Sequence, residues 1–275
     1  MLETHNISAD NIDDLVSKGC SLILNEGIDI SSRAGKAKQC YNVNYTLLNP
    51  RNRVHSLRKQ AKGYLCKELL AYFKGSLDVS EGLGQASKFW YSLANENGKI
   101  NSNYGYYVFY EKIDYCSSQY HWVLNSFKKN KDTRRAIINI NQAYHKSDTK
   151  DFPCTTAILF FIKENKLFCN VFSRSTDVIT GLPYDMGFFS FLHELLFQDL
   201  VEEGMSDLEL GSTTMKTSFT QIYEKTLNKA LGIVNTHKGE KENMPVISNA
   251  KQTLLDIYNR TSNTKVMKWI IENAR

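Results

Sequence analysis

The stretch Asp151-Phe152-Pro153-Cys154-Thr155-Thr156 opens the part of the chain around which the rest is organised, and Gly181-Leu182-Pro183-Tyr184-Asp185 closes it. Between them, the apolar runs Ile158 to Ile162 and Leu167 to Phe172 flank the polar tetrad Lys163-Glu164-Asn165-Lys166. Aromatic and β-branched runs of strand length around a polar turn predict a β-hairpin. The second strand runs out into Arg174-Ser175-Thr176-Asp177. Strands that deliver a proline-braced cysteine at the start of the stretch, and Arg, Ser and two Asp at its end, predict the floor of a pocket.

A chain of 275 residues with four prolines, no low-complexity linker and no repeat at solenoid periods reads as a single domain, 1–275. The net charge of +5 is spread thinly, and Lys128-Lys129-Asn130-Lys131 is the densest basic block. That balance suits a small anionic substrate rather than nucleic acid, whose neutralisation calls for a concentrated patch. Six cysteines (Cys20, Cys40, Cys66, Cys116, Cys154, Cys169) show no CxxC pair, which points to reduced thiols. The amino terminus is polar and no apolar run reaches membrane-spanning length, so the expectation is a cytoplasmic protein without a membrane partner.

Outward from the hairpin, residues 9–25 predict an amphipathic helix, followed by the polar loop Ser31-Ser32-Arg33-Ala34-Gly35-Lys36. Residues 56–74 predict a second helix, ended by Gly75 in the capping position. Glu68 falls on its apolar stripe between Leu65 and Tyr72, where a carboxylate is paired, protonated or working, or else sits at the stripe's edge and reaches water. Gly82-Leu83-Gly84-Gln85 lacks a preceding strand and a third glycine, so it reads as a loop. The aromatic run Tyr106 to Tyr110 predicts a strand, and Arg134-Arg135 enters another at Ala136 to Ile140. A buried helix follows from Phe188 to Glu203, whose His193-Glu194 fails the HExxH zinc pattern because position 197 is Phe. No metal is expected. Two polar-faced helices close the chain between Asn249 and Ala274.

Taken together, these residues offer a nucleophile (Cys154), a carboxylate on a buried face (Glu68), spaced arginines (Arg33, Arg134, Arg135, Arg174), Ser175, and the acids Asp177 and Asp185. A cysteine among cations has a lowered pKa and reacts; in apolar surroundings it is a small core residue. Arginines are the usual bidentate partners of phosphate. The set points to an enzyme acting on a phosphorylated small molecule.

The same residues resemble the thymidylate synthase family in order. Glu68-Leu69-Leu70 with Phe73 and Gly75 resembles its E-L-L-x-x-x-x-G helix with the catalytic glutamate, and Ala94 to Gly98 followed by Tyr104-Gly105 its stretch ending in Y-G. Asp132-Thr133-Arg134-Arg135 is similar to the D-P-R-R phosphate clamp, Pro153-Cys154 to the P-C nucleophile, and Arg174-Ser175-x-Asp177-x-x-x-Gly181-x-Pro183 to R-S-x-D-x-x-x-G-x-P. Arg33 with Gly35 falls where the family's first phosphate loop lies. The resemblance implies an α+β fold with a mixed sheet packed by helices, and a homodimer through the sheet face in which Arg134 and Arg135 serve the partner's site.

Two departures bear on the substrate. Where the synthases place Asn to read uracil, this chain has Asp185, which resembles the deoxycytidylate hydroxymethylases of T-even phages. So do Ile100-Asn101-Ser102-Asn103-Tyr104-Gly105 and Cys154-Thr155. A protonated carboxyl can accept from cytosine's N4 amine and donate to its N3. The family's H-x-Y for the sugar 3'-hydroxyl finds its best match at Thr214 and Lys216, and smaller, more flexible groups there would admit a 2'-hydroxyl and favour CMP over dCMP.

By resemblance, the Cys154 thiolate adds to C6 of a pyrimidine nucleoside 5'-monophosphate and C5 takes the one-carbon unit of 5,10-methylenetetrahydrofolate. Glu68 then orders the water that completes a hydroxymethyl group. Tyr104 joins the catalytic residues, Arg33, Arg134, Arg135, Arg174 and Ser175 hold the phosphate, and Trp90, Asp177 and Gly181 hold the folate. Methylation or hydroxymethylation of a uridylate, and nucleotide binding without catalysis, are the alternatives.

Overall fold

The computed structural model describes residues 3–32, 34–147, 149–236 and 243–275, so Arg33 lies outside the described residues. In chain order the elements are β1 (His5–Ala9), α1 (Ile12–Glu26), β2 (Ile28–Ser32), β3 (Gly35–Leu47), α2 (Ala61–Lys74), α3 (Gln119–Lys129) and β4 (Ile137–Asn139). The second half adds β5 (Thr155–Lys163), β6 (Lys166–Asp177), α4 (Leu182–Glu202), β7 (Glu209–Tyr223), α5 (Leu227–Asn235), α6 (Ala250–Asn259) and α7 (Lys265–Asn273). Among the described residues the strands form one seven-stranded sheet in the order β1-β3-β7-β6-β5-β4, with β2 paired to β3. The β1–β3 and β6–β7 pairs are parallel and the rest antiparallel, giving the mixed sheet and α+β class expected.

The β5–β6 hairpin forms as its pattern predicts. Lys163 faces Lys166, and Glu164 and Asn165 make the turn with φ of +51° and +55°, the left-handed pair that a two-residue hairpin loop needs. Its inner face meets α4, the central helix. Phe188, Phe189, Phe191, Leu192 and Leu195 are all fully buried there, so the helix is apolar nearly all round, as a helix enclosed between a sheet and other helices must be. His193 and Glu194 both serve packing. The His193 Nε2 donates to the Leu167 carbonyl and Nδ1 accepts from Thr213, and burial pushes the ring's pKa down to about 3. Glu194 accepts from Arg51 at 2.7 Å and pairs with the buried Arg53.

Three element boundaries differ from the sequence reading. The first helix starts at Ile12, where the Asn11 side chain accepts from the Asp14 N–H, because residues up to Ala9 pair as β1. The second starts at Ala61, after Gln60 takes a left-handed φ of +68°; its end at Gly75 is as expected, with φ +63°. The buried helix begins at Leu182 with Pro183 in its first turn, which places Asp185 at a helix N-terminus.

One element type is corrected. Tyr106–Tyr110 is a turn of π-helix, closed by the Glu111 N–H on the Tyr106 carbonyl at 2.8 Å. A five-residue apolar run has no periodicity to separate strand from helix, and tertiary contact decides. Tyr110 donates to the Phe73 carbonyl, and Gly105 presses on α2 so closely that a Cβ would fall 1.8 Å from the Tyr72 oxygen.

Candidate active site

Two loops meet to build the site. Asp151, three residues before Cys154, is buried and accepts from the Asn101 N–H (2.7 Å), the Ser102 N–H (2.8 Å) and the Ser102 hydroxyl (2.6 Å). Asn101 Nδ2 returns a bond to the Asp151 carbonyl at 2.9 Å. Asn103 Nδ2 holds the same loop to the Ala71 carbonyl on α2 and to the Ser76 carbonyl just past its end. Thus the run that ends in Tyr104 is fixed both to the Cys154 segment and to the Glu68 helix. The Tyr104 ring stacks between Tyr72 (5.5 Å) and Phe189 (5.6 Å).

Cys154 sits at the entrance to β5 with its Sγ 3.5 Å from the Ser175 hydroxyl. Arg174 shapes the backbone there. Its N–H donates to the Cys154 carbonyl at 2.8 Å, and its guanidinium reaches the Pro153 and Phe152 carbonyls at 3.2 and 2.7 Å. Of the two environments open at Cys154, enclosure outweighs the nearby cations in setting the thiol pKa. Burial raises it; the Arg174 charge and the Ser175 hydrogen bond pull the other way, and Asp185 and Asp151 push it further up. Cys154 therefore carries a thiol at neutral pH, because one guanidinium does not offset its desolvation.

Glu68 is buried on α2 and accepts from Tyr64, one turn earlier, at 2.7 Å. Burial pushes its pKa up to about 8; the Tyr64 bond opposes this, and Asp185 adds to it. Asp185 itself is half-buried at the start of α4, and desolvation pushes it up to about 7. Of the alternatives open at Glu68, the protein takes the buried, protonatable one. Asp185 and Cys154 both act on Tyr104, whose own pKa burial raises well above the phenol value. Cys154, Tyr104, Glu68, Asp185 and Ser175 are thus brought together.

Beside them, Asp177 ends β6 with Oδ1 accepting from the Ile179 and Thr180 N–H groups at 2.7 and 2.6 Å, while its buried Oδ2 has no partner. Gly181 closes this turn onto the Asp177 carbonyl, where a Cβ would come within 2.9 Å. Gln221 of β7 lies directly opposite Asp177, and its buried Oε1 also has no partner among the described residues, whereas Trp90 approaches the Tyr64 hydroxyl. The acceptors of Asp177 and Gln221 fit a polar heterocyclic ligand that donates hydrogen bonds, such as a pterin.

Sequence reasoning missed Tyr64, Asp151 and Gln221. The first carries a signal in its spacing four before Glu68; the other two act through long-range pairing that a single sequence does not display.

Other expected residues are elsewhere. Thr213 and Met215 are fully buried on the helix side of β7, with Thr213 bonded to His193, so the intervening Thr214 and Lys216 project from the opposite face. There Thr214 meets the Thr46 hydroxyl at 3.0 Å, and the Lys216 ammonium lies over the Phe172 ring, 5.3 Å from its centroid. Lys216 lines an open groove of about 390 Å³ with Asn42, Asn44, Thr156 and Arg174. The alternation of β7 thus turns Thr214 and Lys216, the residues matched to the sugar, away from Glu68 and Asp185. Arg134 and Arg135 are exposed ahead of β4. Ile137 pairs with Leu159, so the two arginines lie at the far end of β5, roughly 17 Å or more along the strand from Cys154.

The family model for thymidylate synthase matches residues 17–267. The chain belongs to the thymidylate synthase family, whose members use methylenetetrahydrofolate as co-substrate, and is a one-carbon-transferring enzyme. Among curated relatives, it is similar to the deoxycytidylate 5-hydroxymethyltransferases of Enterobacteria phages T4 and T6. The match is 29% and 32% identical respectively, over 168 residues that cover 59% of this chain and 67% of each relative.

Proposed function

We propose that the enzyme installs a hydroxymethyl group at C5 of a cytidine monophosphate, taking the carbon from methylenetetrahydrofolate and the hydroxyl from water. The observation that carries this reading is Asp185, a carboxyl pushed up to about 7 by burial and set within the electrostatic reach of Cys154 and Tyr104. Near neutrality it offers an O–H donor beside a carbonyl acceptor, the complement of cytosine's N3 and N4 amine. Donation to N3 also meets the negative charge that develops on the ring as sulfur adds to C6. The phage relatives are named for deoxycytidylate, and the argument for a ribonucleotide rested on Thr214 and Lys216. Deoxycytidylate is accordingly the substrate proposed.

The residue roles are part of the same proposal. Cys154 adds to C6, Tyr104 packs the wall beside it, and Ser175 and Arg174 hold the anionic end of the nucleotide. Glu68 moves protons at C5 and its substituent. Asp177, Gly181 and Trp90 hold the one-carbon donor. The distance of Arg134 and Arg135 from their own Cys154 supports a homodimer in which each pair completes the other subunit's phosphate site. Turnover of CMP, dCMP, UMP and dUMP with methylenetetrahydrofolate, read by product mass, tests the reading: a gain of 30 mass units, roughly one CH₂O, on dCMP is expected. In Asp185→Asn the preference should move towards uridylate by roughly ten- to a hundredfold, since a mismatched buried polar group costs about that much. An unchanged ratio would show that Asp185 does not read the base.

A further inference from the structure

Glu68 does not stand alone on its helix. Tyr64 donates to its Oε1 at 2.7 Å, and the Tyr64 ring is held edge-on by Tyr184 at 4.5 Å between centroids. Tyr184 immediately precedes Asp185 in α4. The Arg58 guanidinium in turn bonds the Tyr184 hydroxyl (3.3 Å) and the Ile179 carbonyl (2.6 Å). A line of contacts thus runs from Arg58 through Tyr184 and Tyr64 to Glu68, joining the helices that carry the two carboxyls. Burial and the neighbouring Glu68 hold the Tyr64 phenol far above its ordinary range, so it remains a donor at any working pH.

We propose that Tyr64 is a positioning residue for hydroxymethyl transfer: by occupying Oε1 of Glu68 it fixes the carboxyl rotamer and presents the second oxygen to the attacking water. The inference rests on the function proposed above. In the step concerned, the water oxygen bonds to the methylene carbon on C5 and its proton passes to the Glu68 carboxylate. The electron pair released into the ring expels the Cys154 sulfur from C6, restoring the C5–C6 double bond. The groups facing Glu68 are Tyr64 and Tyr72 from α2, and Tyr184 and Asp185 from α4. Among its hydrogen-bond and charge partners, the Tyr64 bond favours the ionised carboxylate and Asp185 disfavours it.

The test is Tyr64→Phe in the full-length protein, which keeps the ring and removes the hydroxyl. With dCMP and methylenetetrahydrofolate, kcat should fall about tenfold while the nucleotide KM stays within about twofold. The rising limb of kcat against pH should move up by roughly one unit, as the bond that favoured ionisation is gone. Independently of turnover, carbon NMR of carboxyl-labelled glutamate, with Glu68→Gln for assignment, should show the Glu68 midpoint moving up by a similar amount. A fall in kcat with neither the pH limb nor the midpoint displaced would mean that Tyr64 only fills space, and would overturn the proposal; so would an unchanged kcat. If the unaltered enzyme turns over none of the four nucleotides, the functional reading fails by itself, and the NMR midpoint still decides whether Tyr64 governs Glu68.

Discussion

The Ser102 hydroxyl and the Asp151 carboxylate, 49 residues apart in the chain, are joined at 2.6 Å in the protein interior. Two backbone N–H groups converge on the same carboxylate, so Asp151 acts purely as an acceptor at the point where the Tyr104 loop meets the Cys154 segment. In Asp151→Asn an amide N–H would face one of these donors. The variant should lose roughly 1–3 kcal/mol in urea unfolding, and Ser102→Ala, which leaves two of the three bonds intact, about 1 kcal/mol. Inactivation should be larger than stability alone explains, since two loops of the site lose their register. Full activity in a folded Asp151→Asn protein would show that the lock does not position the nucleophile.

Glu68 and Asp185 make stability depend on pH in an unusual direction. Both carboxyls have folded-state values above their ordinary ones, about 8 and about 7, so between roughly pH 4 and 8 the folded chain binds more protons than the unfolded one. Their contribution to stability therefore falls as pH rises through that window, opposite to a salt-bridged carboxylate. Glu68→Gln, which keeps the shape without the charge, should gain stability over the unaltered protein at pH 8 and lose that advantage at pH 5. Denaturant midpoints at the two pH values decide it: an advantage of equal size at both would assign the effect to something other than ionisation.

For the thiol, the sign is set by desolvation. Because burial raises the Cys154 pKa and Arg174 only partly opposes this, iodoacetamide should label Cys154 slowly at pH 7 and faster as pH rises past the ordinary thiol range. Cys154→Ser should abolish turnover while leaving nucleotide binding measurable by calorimetry. Near-normal turnover in that variant would rule out the covalent mechanism. The remaining five cysteines should be replaceable; four of them, Cys20, Cys40, Cys66 and Cys169, are buried packing residues.

The hairpin, Gly75 and the closing helices were legible because each rests on local pattern. The grouping of Cys154, Glu68 and Asp185, whose residue types stand in recognisable order along the chain, is matched by their proximity in the fold. Tyr106 to Tyr110 was not legible, since a short apolar run has no periodicity to distinguish a π-turn packed on Tyr72 from a strand. The thiol's raised pKa depends on how much protein encloses it, which neighbouring arginines in sequence do not report. The place of Gln221 was hidden for a related reason: only the sheet register shows that it stands opposite Asp177.

That register carries the last prediction. Thr214 and Lys216 point from the sheet face away from Glu68 and Asp185, with Thr214 bonded across to Thr46 and Lys216 lying over Phe172. Exchanging them for His and Tyr should therefore leave the ratio of kcat/KM for CMP and dCMP within about twofold of the unaltered enzyme, as expected of residues that face away from the Glu68 and Asp185 carboxyls. Gln221 differs, because its Oε1 is buried without a donor in the ligand-free protein. Gln221→Leu removes that unsatisfied acceptor, so unfolding stability should hold or rise. A hydroxyl or amine donated by a ligand would lose its partner, and nucleotide or folate KM should climb by roughly tenfold or more. Parallel kinetics on the two variants separate the cases: a changed sugar preference in the Thr214/Lys216 double variant together with an unaffected Gln221→Leu enzyme would return the sugar site to Thr214 and Lys216.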